Sequence, residues 1–123
     1  MSKNKIFEKI KIKDTEFSNR IVVSPMCQYS AENGLMNDWH FQHLSQFGFS
    51  GAGLVMIEST AVEKIGRITQ NCTGIYDDDC LSSIKTIMEK VKTLSLNEVK
   101  FGIQLGHAGR KASTQRPWEG RSY

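Results

Sequence analysis

The chain has 123 residues, of which 39% are hydrophobic, 24% charged and 9% aromatic, the make-up of one ordinary globular domain. Its 16 Lys+Arg against 13 Asp+Glu give a net charge of +3 without a basic block, which argues against a nucleic-acid partner. Three unevenly spaced cysteines, Cys27, Cys72 and Cys80, suit neither a disulfide scaffold nor a zinc knuckle, and without a signal-like stretch or a long apolar run we expect a cytoplasmic chain with no membrane partner.

Residues 6–23 read as a short leading hairpin followed by a core strand. Ile10 and Ile12 alternate with Lys11 and Lys13, Asp14-Thr15 supplies turn chemistry, and Phe17 resumes the apolar pattern. Ile21-Val22-Val23 is a β-branched run with the look of a buried strand, ended by Pro25. Immediately past it stand a thiol and a phenol, Cys27 and Tyr29. Asn33-Gly34 marks a turn in the loop 31–37.

A helix is expected from Asp38, taken as its N-cap, through Phe47, with Gly48 as its stop. Within it His40 and His43 are three apart. No carboxylate or thiol at a helpful spacing completes a metal set, so packed or hydrogen-bonded histidines are expected and no metal is assigned. Leu54-Val55-Met56-Ile57 suits a strand covered on both faces, with Glu58-Ser59-Thr60 marking its carboxyl end. The loop 63–76 offers no periodicity to read.

Asp77-Asp78-Asp79 opens the clearest helix, since negative charge favours a helix N-terminus. Leu81, Ile84, Ile87, Met88, Val91 and Leu94 form its apolar stripe. In the next strand, residues 99–106, the period of two puts Val99, Phe101, Ile103 and Leu105 on one face. Gly102, Gln104 and Gly106 fall on the other. In a barrel the apolar set faces the helices and Gln104 looks inward, where a lone amide suits a flat polar ligand or a backbone partner in the core.

The order β–α–β–α–β with long crossovers predicts an α/β chain with parallel strands. Three such strands leave a bare edge, and a full barrel takes about 250 residues. We therefore expect residues 1–123 to be the front part of a single larger domain. Ser24–Tyr29, Glu58–Thr60 and Gln104–Arg110 should meet at the carboxyl ends of the strands, where barrel chemistry collects. The sequence holds no nucleophile elbow, no dinucleotide loop and no Walker loop. Cys27 as a nucleophile with His107 as its base stays open. The basic residues Arg110, Lys111, Arg116 and Arg121 read as a solvated loop, or as partners of an anionic cofactor.

Several motifs occur in one order: Ser24-Pro25-Met26-Cys27-Gln28-Tyr29, Asn37-Asp38-Trp39-His40, Gly66-Arg67-Ile68-Thr69, Gly102-Ile103-Gln104-Leu105, His107-Ala108-Gly109-Arg110-Lys111-Ala112 and Arg116-Pro117-Trp118-Glu119-Gly120. Together they resemble the old yellow enzyme family, in its xenobiotic-reductase and NADPH dehydrogenase branch, over nearly the whole chain. The resemblance implies a hairpin plus the first three βα units of an incomplete TIM (β/α)8 barrel holding FMN. It implies hydride transfer from NADPH or NADH through the flavin to an activated alkene, and a homo-oligomer at full length. By the same resemblance Ser24, Pro25, Met26 and Cys27 line the flavin, Cys27 tunes its potential, Gln104 bonds the ring edge and Tyr29 lies on the substrate side. Ser59 stands at the flavin where the branch usually has alanine. The family's carbonyl-holding pair, proton donor and phosphate site belong to later strands not found in this sequence. The 123 residues alone are therefore expected to be inactive. A non-catalytic binding remnant and another flavin barrel, such as a dihydroorotate-type dehydrogenase, remain as alternatives.

Overall fold

The computed structural model describes residues 4–119. Strands β1 (Ile10–Ile12) and β2 (Thr15–Phe17) form an antiparallel hairpin that pairs Ile10 with Phe17 and Ile12 with Thr15. The turn is Lys13-Asp14 rather than Asp14-Thr15, with Lys13 at φ +51°. Thr15 is β-branched and takes a strand position beside Ile12 instead.

Three parallel strands follow in the order β3 (Val22–Val23), β4 (Leu54–Ala61) and β5 (Lys100–Gly106). Helices α1 (Asp38–Gly48) and α2 (Asp78–Leu94) make the two crossovers, and a 3-10 turn at Gly109–Lys111 follows β5. Val22 pairs with Leu54, and Leu54 with Lys100. Asn19 locks the start of the sheet: its Oδ1 accepts from Gly53 N–H at 2.9 Å and its Nδ2 donates to Gly51 O at 2.7 Å. A side chain at Gly53 would run into Asn19 O, 2.6 Å from a built Cβ.

Strand β4 extends to Ala61, so Glu58, Ser59 and Thr60 lie inside it and not beyond its end. A bulge explains how polar residues are accommodated there. Ile57 pairs with Ile103 and Ser59 with Gln104, leaving Glu58 as the extra residue. Plain alternation would put Leu54, Met56 and Glu58 on one face. The bulge instead sends the Glu58 carboxyl toward α1 and keeps Ser59 on the face of Met56.

Helix α1 is capped by Asn37, one residue before the expected Asp38. Asn37 Oδ1 accepts from Trp39 N–H at 3.1 Å, while Asn37 N–H donates to His40 Nδ1 at 3.1 Å. The reciprocal pair satisfies amides that a helix start leaves open. Asp38 supplies the negative charge that favours the first turn. Gly48 is the last helical residue, packed where a Cβ would meet Ser95 behind α2. Asp77 caps α2 by accepting from Cys80 N–H at 2.8 Å.

The core lies between the helices and one face of the sheet: Leu44, Val55, Ile57, Ile84, Ile87, Met88, Val91 and Val99 are buried together, with Phe101 and Ile103 packed against them. The inferred parity of β5 is thus correct for Phe101 and Ile103. Leu105 is 59% exposed, because no described helix reaches it. The α2 stripe is narrower than its periodicity implied. Cys80 joins it, while Leu81 and Leu94 are about half exposed at its margins. Accordingly Ile87→Ala should cost about 2–5 kcal/mol, and Leu94→Ala less than about 0.5 kcal/mol. Urea unfolding of the two variants checks the contrast.

Candidate functional site

Parallel strands put the ends of β3, β4 and β5 at one edge, and the segment Ser24–Ser30 crosses that edge after β3. Its path is set by hydrogen bonds rather than by local propensity. Gln28 N–H donates to Glu58 Oε2 at 3.0 Å, Gln28 Nε2 donates to Met26 O at 2.8 Å, and Gln28 Oε1 accepts from Trp39 Nε1 at 3.0 Å. Ser30 and Asn37 continue the chain of contacts into α1. Tyr29 is thereby held at φ +51°, an unfavourable region for a bulky residue. Its ring meets Trp118 edge-on at 5.8 Å between centroids.

Glu58 is 4% exposed and His40 2% exposed. His40 Nδ1 accepts from Asn37 N–H, which leaves the proton on Nε2, 3.2 Å from Glu58 Oε1. The two atoms are close without the alignment of a hydrogen bond. His40 is thus the hydrogen-bonded histidine expected from sequence, and His43 stacks edge-on with Phe47 at 5.2 Å. Among the described residues no group of three or more His, Cys, Asp or Glu side chains could hold a metal.

Cys27 sits beside Glu58, the Ser59 backbone N–H and the thiol of Cys72. The Cys72 hydrogen bond, burial and the Glu58 charge push the Cys27 thiol well above its ordinary range. Cys72 moves the other way, down to about 6, because Cys27 S–H and then Thr69 stabilise its thiolate. Thr69 N–H lies 3.4 Å and Thr69 Oγ1 3.5 Å from Cys72 Sγ. Burial, helped by Cys27, Cys72 and Glu58, also raises Tyr29. Cys27 and Tyr29 therefore stay protonated at neutral pH.

Ser59 pairs in register with Gln104, and a Cβ at Gly106 would lie 2.8 Å from Ser59 Oγ. The structure thus gathers Cys27 from the loop after β3, Ser59 from β4 and Gln104 from β5 at one edge. Ser24 and Gln104 are exposed, Pro25 is half-buried and Met26 is 40% exposed. His107 does not join Cys27. It packs on Gly66, and its Nε2 lies 3.4 Å from Glu63 Oε2. A raised thiol without an imidazole partner is not an activated nucleophile.

Arg110 and Lys111 are exposed and Arg116 pairs with Glu119, while Arg121 lies outside the described residues. A groove of about 390 Å³ runs between Arg67, Thr69, Gln70, Ser113, Thr114 and Glu119. It holds none of the residues expected at the flavin or the substrate, although Arg67, Thr69 and Glu119 belong to the motifs that carry the resemblance. Sequence reasoning missed the Glu58 clamp and Cys72; both depend on spatial neighbours that no local pattern reports.

The open α/β half-sheet with a leading hairpin is the fold of the front part of a flavin-enzyme barrel. Old Yellow Enzyme from a Pichia species matches with a TM-score of 0.78 and 26% identity, over 90% of this chain and 28% of that one. A mutant morphinone reductase in complex with tetrahydroNAD shares the fold, with a TM-score of 0.77 and 20% identity over 89% of this chain and 29% of that one. Residues 5–121 match the NADH:flavin oxidoreductase / NADH oxidase family, and the chain belongs to it. An NADH:flavin oxidoreductase of Gibberella zeae is 44% identical over 114 residues, 93% of this chain and 27% of that protein. The NADPH dehydrogenase of Bacillus subtilis is 40% identical over 113 residues, 90% of this chain and 32% of that protein. The chain therefore spans less than a third of the length of these relatives. No helix among the described residues is long and apolar enough to cross a membrane.

The thiol pair makes a stability prediction. Between about pH 6 and the ordinary thiol value of 9.0 the folded pair holds fewer protons than the unfolded one. Stability should rise with pH across that window and be lost as pH falls through about 6. Urea midpoints measured from pH 6 to 9 should show the rise, and Cys72→Ser should flatten it.

Proposed function

We propose that residues 1–123 are the amino-terminal portion of one flavin-binding TIM-barrel domain, belonging to an FMN-dependent ene-reductase. The observation that carries this reading is the gathering of Cys27, Ser59 and Gln104 at one strand edge in a chain of this family. The Gln104 amide and the Ser59 hydroxyl make no side-chain hydrogen bond among the described residues, and both stand on the face left open by the helices. Two such donors, paired in register on neighbouring strands, suit the edge of a flat heteroaromatic ring.

In this reading Ser24, Pro25, Met26 and Cys27 line the ring, and Gln104 and Ser59 hydrogen-bond its polar rim. When bound, FMN supplies the hydride chemistry between NADPH or NADH and an activated alkene. Cys27 stays neutral beside the ring and adjusts its potential by its contact with it. Tyr29, fixed by its neighbours and by Trp118, orients the alkene substrate. The free thiols fit a reducing, cytoplasmic setting, and the whole protein is expected to be a homo-oligomer with no nucleic-acid or membrane partner.

The test is spectroscopic. The full-length protein should bind FMN, turn yellow and bleach on anaerobic addition of NADPH or NADH, then recolour with an enone. Absorbance that stays flat during FMN titration would reject the reading. The 123-residue chain alone should reduce no enone. Cys27→Ala should leave the fold intact and shift the flavin potential by about 20 mV, the equivalent of one lost contact of about 1 kcal/mol. An unchanged potential would remove Cys27 from that role.

A further inference from the structure

In the reading above Trp118 does no more than brace Tyr29. Its indole is 62% exposed, although tryptophan is highly buried on average. The exposure does not come from a loose tail, because the arm that carries Trp118 is anchored along its length. After β5 the chain turns back across the loop that follows β4. Ala108 N–H donates to Gly66 O at 2.8 Å and Ser113 N–H to Arg67 O at 3.0 Å. Thr114 donates twice to Ile68 O, from its N–H and from its Oγ1, each at 2.9 Å. Thr69 and Thr114 form a parallel bridge there.

The arm ends in a turn closed on itself. Glu119 N–H donates to Arg116 O at 3.0 Å, and Arg116 N–H and Nε donate to the two Glu119 carboxylate oxygens at 3.1 and 2.7 Å. The Arg116 guanidinium then lies over the Trp118 ring, 5.7 Å from its centre. Tyr29 meets the same ring edge-on at 5.8 Å. An indole that follows β5 is thus carried across the loop after β4 to the segment after β3, and its orientation is fixed from two sides. Trp39, 54% exposed, differs in that its ring N–H is committed to Gln28.

We propose that Trp118 is a specificity-determining residue, an apolar wall that selects alkenes bearing an aryl or similarly flat substituent. The proposal rests on the function proposed above, because Tyr29 marks the substrate side only in that reading. Ser59 and Gln104 offer polar atoms and no apolar surface for a substituent. Trp118 offers a broad one beside Tyr29, already oriented, so stacking on it freezes little additional freedom. Burying and stacking one phenyl ring against it is worth about a tenfold gain in binding. Such a contact is made before and during reaction alike, so its loss raises KM more than it lowers kcat.

The test uses the full-length, flavin-loaded enzyme and two enones with the same reacting group, benzylideneacetone and ethylideneacetone, which differ as phenyl against methyl. The kcat/KM of each is measured for the natural enzyme, Trp118→Leu and Trp118→Phe. Leucine keeps apolar bulk against Tyr29 and removes the flat ring. It should lower the phenyl-to-methyl ratio about tenfold, mainly through the KM of the phenyl substrate, while phenylalanine keeps most of the ratio. A ratio that stays within about twofold of the natural value in Trp118→Leu overturns the proposal: if both substrates slow together the indole only braces Tyr29, and if neither slows it meets no substrate. Should the leucine variant not fold, Trp118→Gln gives the same readout. A natural enzyme that binds no FMN would instead reject the proposed function, and this role with it.

Discussion

The carboxylate of Glu58 is the constraint on which this edge of the molecule depends. One oxygen receives the Gln28 amide and the other faces the His40 imidazole, so a single buried group ties β4 to the loop after β3 and to the first turn of α1. Buried polar contacts add little net stability over apolar packing, yet leaving a buried polar group without its partner costs about 1–3 kcal/mol. The value of the arrangement is therefore geometric. Gln28, once held, spends its amide on Met26 and Trp39. The segment carrying Cys27 and Tyr29 then has no other path, which is how Tyr29 persists at positive φ at a strain of about 1–3 kcal/mol.

The same charge governs the chemistry of its neighbours. Glu58 disfavours further negative charge nearby and raises Cys27 and Tyr29 alike. The negative charge that the thiols do carry is drawn to Cys72, where Thr69 supplies two donors. The edge is thus divided in depth. Protonated groups stand where a ligand would meet them, and the thiol whose pKa is lowered lies behind them, shielded from solvent.

The elements with strong periodicity were legible before any coordinates. Asp77 and the apolar repeat define α2, and alternation in β5 sorts Phe101 and Ile103 from Gln104. The misreadings have physical causes. Asn37 and Asp38 are both good caps, and the choice falls to Asn37 because His40 completes the reciprocal pair. Glu58-Ser59-Thr60 looks like the end of a strand because polarity usually signals solvent. Here a bulge and a buried imidazole accept the carboxylate instead. The loop after β4 was unreadable because it is shaped by distant backbone partners. Ala61 N–H donates to Thr73 O, Gly74 N–H to Gly34 O and Ala108 N–H to Gly66 O. The burial of Cys72 against Thr69 follows from that loop, so it was equally invisible.

The bulge also divides the open face of the sheet along its length. Toward the amino ends, Val22 and Leu54 line an apolar hollow of about 130 Å³ with Ile10, Ile12 and Phe17 of the hairpin. Beside Leu54, Gly102 leaves room for Met56, whose sulfur stands 2.5 Å from where a Cβ would be. Past Glu58 the same face carries Ser59 and Gln104. An unbroken strand would have placed an anion at the junction, facing whatever packs there. By turning Glu58 toward α1, one extra residue gives the sheet a greasy floor under the hairpin and a neutral, donor-rich rim above it. A parallel sheet is normally covered on both faces, and the floor and the rim call for different covers. Apolar side chains suit the first, and a flat molecule with hydrogen-bond acceptors suits the second.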